Sequence, residues 1–186
     1  MFQVEVAQRL VQFGFNPGDI RRRPEVVQAA ARLTRGEHKV EDLGLLADLV
    51  VIGTVQSVRD ERLADPYLST ISLSKVEVLK GSAPGPVVLI RQESGAAENG
   101  RRRMVSGDID KAGKVYAFFL SSHLYNSLAE GRPMSIGRDV GEPKPADQKY
   151  LRFGAWYEVL PGGKLLAQEP GMPTIETVSA LRAAIR

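Results

Sequence analysis

Between Ser74 and Lys75 the alternation of apolar residues slips by one position. Ile71 and Leu73 share one parity, and Val76 and Val78 share the other. Side chains along a strand alternate between faces, so such a slip turns the apolar set toward solvent unless a bulge absorbs one residue. Bulges are what curl a sheet. A strand over about Leu68–Leu79 with its bulge built in therefore predicts a curved sheet, and few flat arrangements survive that constraint.

The other predicted strands fit the same picture. LVVIGTVQSV, within Asp48–Val58, is β-branched and apolar on both faces at its start, as befits a strand covered on two sides. Gly53 in its middle marks a bend or bulge. Val87–Gln92 and Val115–Leu120 follow, the second again apolar on both faces. Over Tyr150–Val159 the series Leu151, Phe153, Ala155, Tyr157 and Val159 alternates strictly with Tyr150, Arg152, Gly154, Trp156 and Glu158. Pro161-Gly162 has the signature of a type II turn, and Lys164–Gln168 returns as the hairpin partner.

Helices are expected at both ends. Val6, Leu10 and Phe13 recur at helical spacing before Gly14, and a turn follows at Asn16-Pro17-Gly18. Pro24 suits a first helical residue, with Val27, Ala30, Ala31 and Thr34 on one face and Gly36 as the stop. At the other end Thr174 is the expected cap of a helix carrying Ile175, Val178, Leu181 and Ile185. The reading is an N-terminal helical segment at 1–40 and, over 41–186, a mainly β domain: a five- to six-stranded antiparallel OB-like barrel with a C-terminal helix. Ser94–Ala112 and Ser121–Lys149 read as long irregular loops.

Three stretches resemble a family of bacterial proteins. They are ADLVVIGTV at Ala47–Val55, KVEVLKG at Lys75–Gly81 and AGKVYAFFL at Ala112–Leu120. In that family an ADLVVVGTV strand leads to VEVLKG, then GERYLVFL, then a C-terminal hairpin and helix. The resemblance spans about Glu41–Arg186 and implies a barrel of the tissue-inhibitor-of-metalloproteinase and netrin-module type. Inhibition by true members of that fold uses an N-terminal cysteine. This chain has no cysteine, so the activity does not carry over.

The absence of cysteine also removes disulfides, thiolate nucleophiles and thiolate metal sites. At 186 residues with 43% apolar and 25% charged content, the chain is long enough for a core without covalent staples. No stretch is long and apolar enough to span a membrane, and the first residues lack a signal-peptide pattern. A cytoplasmic location is expected for the chain as it stands, or an exported one if a signal was removed.

No residue constellation specifies catalysis. His38 and His123 each stand alone. Ser121-Ser122-His123 lacks a partnered acid and the Gly-x-Ser-x-Gly elbow. Asp108-Ile109-Asp110 places two carboxylates at strand spacing, but the bland reading of a solvated loop is preferred. No metal or cofactor is expected. The distinctive features are two arginine triplets, Arg21–Arg23 and Arg101–Arg103. Arg101, Arg102 and Arg103, with Arg152 and Trp156, are the candidate binding residues. The expected activity is a non-enzymatic binding module with the long loops as contact surface and a protein as partner. A single-stranded nucleic-acid-binding barrel, using the arginines beside exposed Tyr150 and Trp156, is the alternative. A hydrolase with a loop-built site is a third.

Overall fold

The computed structural model describes residues 24–37, 39–62, 67–105, 107–121 and 149–185, with the backbone alone at 34 and 151–154. The expected helix near Val6–Phe13 and its following turn lie outside these. The described residues form three helices, α1 (Pro24–Thr34), α2 (Val40–Leu46) and α3 (Val178–Ala184). Eight strands accompany them: β1 (Leu49–Asp60), β2 (Ser69–Lys80), β3 (Val88–Gln92), β4 (Gly95–Ala96), β5 (Arg102–Arg103), β6 (Val115–Ser121), β7 (Lys149–Val159) and β8 (Leu165–Ala167).

Six strands make the main sheet, in the order β3-β2-β1-β6-β7-β8, with neighbours antiparallel. In addition β3 and β7 pair with each other in parallel, through Leu89↔Lys149, Ile90↔Tyr150 and Arg91↔Leu151. The sheet is therefore mixed, where a purely antiparallel one was expected. Local periodicity carries no trace of which distant strand a given strand will meet. Strands β4 and β5 form a second, two-stranded sheet within the loop expected to be irregular.

The curl stands where the parity slip predicts it. Ile52 opposes Glu77 while Thr54 opposes Ser74, so two residues of β2, Lys75 and Val76, stand against Gly53 alone and one residue is extra. Lys75 there has a φ of 51°, one of two non-glycine residues with positive φ among those described. Gly53 sits opposite this bulge, and the β-carbon it lacks would press on Leu73 at 3.2 Å.

The first half of β1, strand β6 and residues 155–157 of β7 are apolar on both sides because both sides are covered. Leu49, Val51, Tyr116, Phe118, Leu120 and Trp156 point into one core with Ile71, Leu73 and Ile90. Val50, Ile52, Ala117, Phe119, Ala155 and Tyr157 point into another, shared with α1, α2 and Leu181 of α3. Phe118 and Phe119 are adjacent in sequence and each is fully buried. Burying one such ring is worth about 1.5–3 kcal/mol.

On α1 Val26, Ala29, Ala30, Ala31 and Leu33 are buried. Of the expected face, Ala30 and Ala31 lie in the core and Val27 packs half-buried against it, while the side chain of Thr34 lies outside the described residues. The buried stripe also takes in Val26, Ala29 and Leu33, which the expected face left out. Helix α2 was not expected. Arg32 ties it to α1 by a two-pronged pair, Nε to Asp42 Oδ2 at 2.7 Å and Nη2 to Oδ1 at 2.6 Å. Helix α3 is capped by Thr177 rather than Thr174, its Oγ1 accepting from the Ala180 N–H at 3.1 Å. The turn before β8 is as the sequence signals: Gly162 has φ 80° and ψ 5°, and the Gly163 N–H donates to the Leu160 carbonyl at 3.0 Å.

Candidate functional site

Arg101–Arg103 lies on a hairpin. The Ala97 N–H donates to the Arg101 carbonyl at 2.9 Å, and the Gly100 N–H to the Ala97 carbonyl at 3.0 Å. Asn99 Oδ1 accepts from the Arg101 N–H at 3.0 Å, fixing the tip. From there Ala96 faces Arg102 and Gly95 faces Arg103 across the ladder. Glycine at 95 lets the hairpin lie on the connection after β1, since a β-carbon there would stand 2.3 Å from the Leu68 carbonyl oxygen.

All three arginines are exposed. Arg102 Nη1 donates to Asp60 Oδ2 at 3.3 Å, with the guanidinium still 52% exposed. Such a pair holds little net energy, about 1 kcal/mol or less. Arg101 and Arg103 have no carboxylate partner among the described residues. Met104 beside them is 47% exposed.

The loop carrying this hairpin is strapped down. Val105 N–H donates to Ser94 Oγ at 2.7 Å. Buried Gln92 holds Ile109 from both sides, its Nε2 donating to the carbonyl at 2.6 Å and its Oε1 accepting the N–H at 3.0 Å. Trp156 Nε1 donates to the Gly107 carbonyl at 3.1 Å. Ile109, only 4% exposed, is the apolar peg of this strap. The loop is thus fastened to β3 and β7, with the exposed arginines on its hairpin.

Beside the hairpin, three side chains from different strands meet at Glu61. Thr70 Oγ1 donates to its Oε1 at 2.7 Å, Arg91 Nε to the same oxygen at 3.0 Å, and Lys149 Nζ at 3.2 Å, while Arg91 Nη2 also pairs with Oε2. Burial, the largest single influence, pushes this carboxyl up. The hydrogen bonds from Arg91 and Thr70, with the charges of Lys149 and Arg91, together outweigh it and bring it down to about 2. Here two cations are spent on one internal acid. No local sequence pattern signals this cluster, because its members are brought together by pairing of distant strands.

The remaining candidates are placed as follows. Trp156 is 8% exposed and Tyr150 3%, so neither ring offers a stacking face to solvent. Arg152 stands in β7 opposite Leu120. Arg21–Arg23, His38 and His123 lie outside the described residues. Ser121 is buried and its hydroxyl donates to Asp48 Oδ2 at 3.4 Å. Among the described residues no three metal-ligating side chains cluster, and no helix is long and apolar enough to cross a membrane. An open depression of about 520 Å³ lies between β8 and the 172–177 stretch, with Tyr157 donating its hydroxyl to the Pro173 carbonyl at 2.7 Å.

No family model matches the chain, and comparisons with curated proteins and with solved structures return no match either. The functional reading therefore rests on the geometry.

Proposed function

We propose that the chain is a non-enzymatic binding module, an OB-like barrel whose β4–β5 hairpin is the contact surface for an acidic segment of a protein partner. The observation that carries this is the hairpin itself: three consecutive exposed arginines on a strapped frame, of which Arg102 alone has a carboxylate within reach among the described residues. The barrel reading draws support from the parallel β3–β7 pairing, which joins the two ends of the run β3-β2-β1-β6-β7. A protein partner is favoured over single-stranded nucleic acid because the rings that would stack on bases, Tyr150 and Trp156, are buried. Guanidinium groups pair well with carboxylates through parallel N–H donors.

The test compares the full chain with an Arg101→Ala, Arg102→Ala, Arg103→Ala variant by fluorescence anisotropy. The probes are a labelled oligoglutamate peptide and a labelled oligothymidylate of equal charge. The expected result is peptide binding that weakens with salt and falls by about tenfold or more in the variant. Equal binding by the variant, or tighter binding of the oligothymidylate at matched salt, would overturn the proposal.

A further inference from the structure

The β4–β5 hairpin has one edge against the end of β1 and the β1–β2 connection and one edge that nothing among the described residues covers. Gly95 of β4 approaches the Leu68 carbonyl, while β5 pairs only with β4. In an antiparallel ladder, opposed residues alternate between pairs that exchange both hydrogen bonds and pairs that exchange none. Ala97 and Arg101 are bonded across the ladder. Ala96 and Arg102, the next pair inward, are then of the unbonded kind. Arg102 accordingly turns its N–H and its C=O outward from the free edge of β5. An outward donor and acceptor on one strand residue is the template onto which another strand adds.

The side chains say what that strand should carry. Arg102 leans to the Asp60 side of the hairpin, so by the pleat Arg101 and Arg103 share the other side. Two positions along a strand are separated by about 6.7 Å. A strand added antiparallel to β5 would place one residue opposite Arg102, bonded to it by two backbone hydrogen bonds. Its neighbours on either side would then stand opposite Arg101 and Arg103, at cross-strand contact distance. Acidic residues at those two positions neutralise both guanidiniums, which have no carboxylate of their own among the described residues. Exposed Met104, on the same parity as Arg102, adds an apolar contact for the next residue of the strand.

Resting on the reading of this hairpin as a protein-contact surface, we infer that the partner segment binds by strand addition to β5. Its signature is an extended stretch with two carboxylates separated by one residue.

The experiment uses the full chain and three labelled peptides of one composition, built around Glu-Val-Glu flanked by valine and threonine. The first is unmodified. The second carries an N-methyl group on the valine between the glutamates, which removes the N–H that would donate to the Arg102 carbonyl and leaves every charge in place. The third has the two glutamates adjacent. The expected order is tightest binding for the first, with the second and third each weaker by about fivefold to tenfold. An Arg101→Ala, Arg103→Ala variant should level the first and third peptides, and circular dichroism of that variant should match wild type, since both positions are exposed. If all three peptides bind wild type equally and the variant weakens all alike, strand addition is overturned while the hairpin stands as a charged contact surface. If the variant changes nothing, the contact surface itself is wrong.

Discussion

Lys80 Nζ lies 2.7 Å from the carbonyl oxygen of Gly44, and 2.9 and 2.8 Å from those of Leu45 and Ala47. Its three donors meet the carbonyls that the last turn of α2 leaves unpaired, where the helix dipole also favours a cation. One side chain at the end of β2 thus ties a helix to the sheet. Replacing it by methionine keeps much of the packing and deletes the donors. We expect Lys80→Met to lower stability by about 1–3 kcal/mol, read as a lower urea midpoint with an unchanged slope. An unshifted midpoint would show that water replaces the ammonium at no cost.

The next residue is constrained by backbone alone. Gly81 has φ +83°, and a β-carbon there would stand 2.3 Å from the Asp48 carbonyl oxygen. Gly162 has nearly the same φ, +80°, with open space around it. Gly162→Ala should cost about 1–2 kcal/mol for the left-handed backbone only. Gly81→Ala adds a clash with backbone that cannot step aside, and should cost more than about 3 kcal/mol. Thermal melts of the two variants test the ordering, and equal losses would refute it.

Glu61 links the fold to acid. Its ordinary value of 4.5 is brought down to about 2 in the folded chain. A depressed carboxyl stabilises the fold above its unfolded value, and that contribution fades as pH falls through the folded one. Glu61→Gln should therefore be less stable than wild type at neutral pH. The gap should narrow between about pH 4.5 and pH 2, where wild type loses its own advantage. Denaturation midpoints across that window decide the matter; a constant gap would mean that Arg91 and Lys149 do not act through the charge.

Gln92 is the pin of the 94–113 strap. Gln92→Leu keeps the volume but leaves the Ile109 N–H and carbonyl without their partner in the interior. The expected loss is about 2–4 kcal/mol. Amide exchange should quicken in residues 107–113 more than in β1. Trp156→Phe should loosen the same residues to a smaller degree, since it removes one hydrogen bond at Gly107. Uniform acceleration across the chain would point to global weakening instead.

Much of the frame is legible in the sequence because it rests on local parity. The slip at Ser74–Lys75 marks the bulge, and the alternation around Trp156 separates Trp156 from Ala155 and Tyr157 correctly. What alternation does not tell is that both faces of β7 are covered at 155–157, so Trp156 becomes a core residue with a backbone partner at Gly107. Strands of two residues, such as Gly95–Ala96 and Arg102–Arg103, are too short to show any period. Helix α2 hides behind Gly44, a poor helix residue that is there because α3 packs close: a β-carbon would meet Ile185 at 3.2 Å. The Glu61 cluster depends on β3 meeting β7, and no local pattern encodes that meeting.

That meeting also governs time. Leu89 and Lys149 stand opposite each other yet sixty positions apart in the chain, whereas β1–β2 and β2–β3 are near neighbours. Contacts so distant are won only after the entropy of closing the intervening loop is overcome. The β3–β7 junction should form late, once the hairpins beside it exist. Weakening it, as by Leu89→Ala, should then speed unfolding while leaving the refolding rate nearly unchanged in stopped-flow measurements. Such a result would place the lifetime of the folded state at this junction and the speed of reaching it elsewhere.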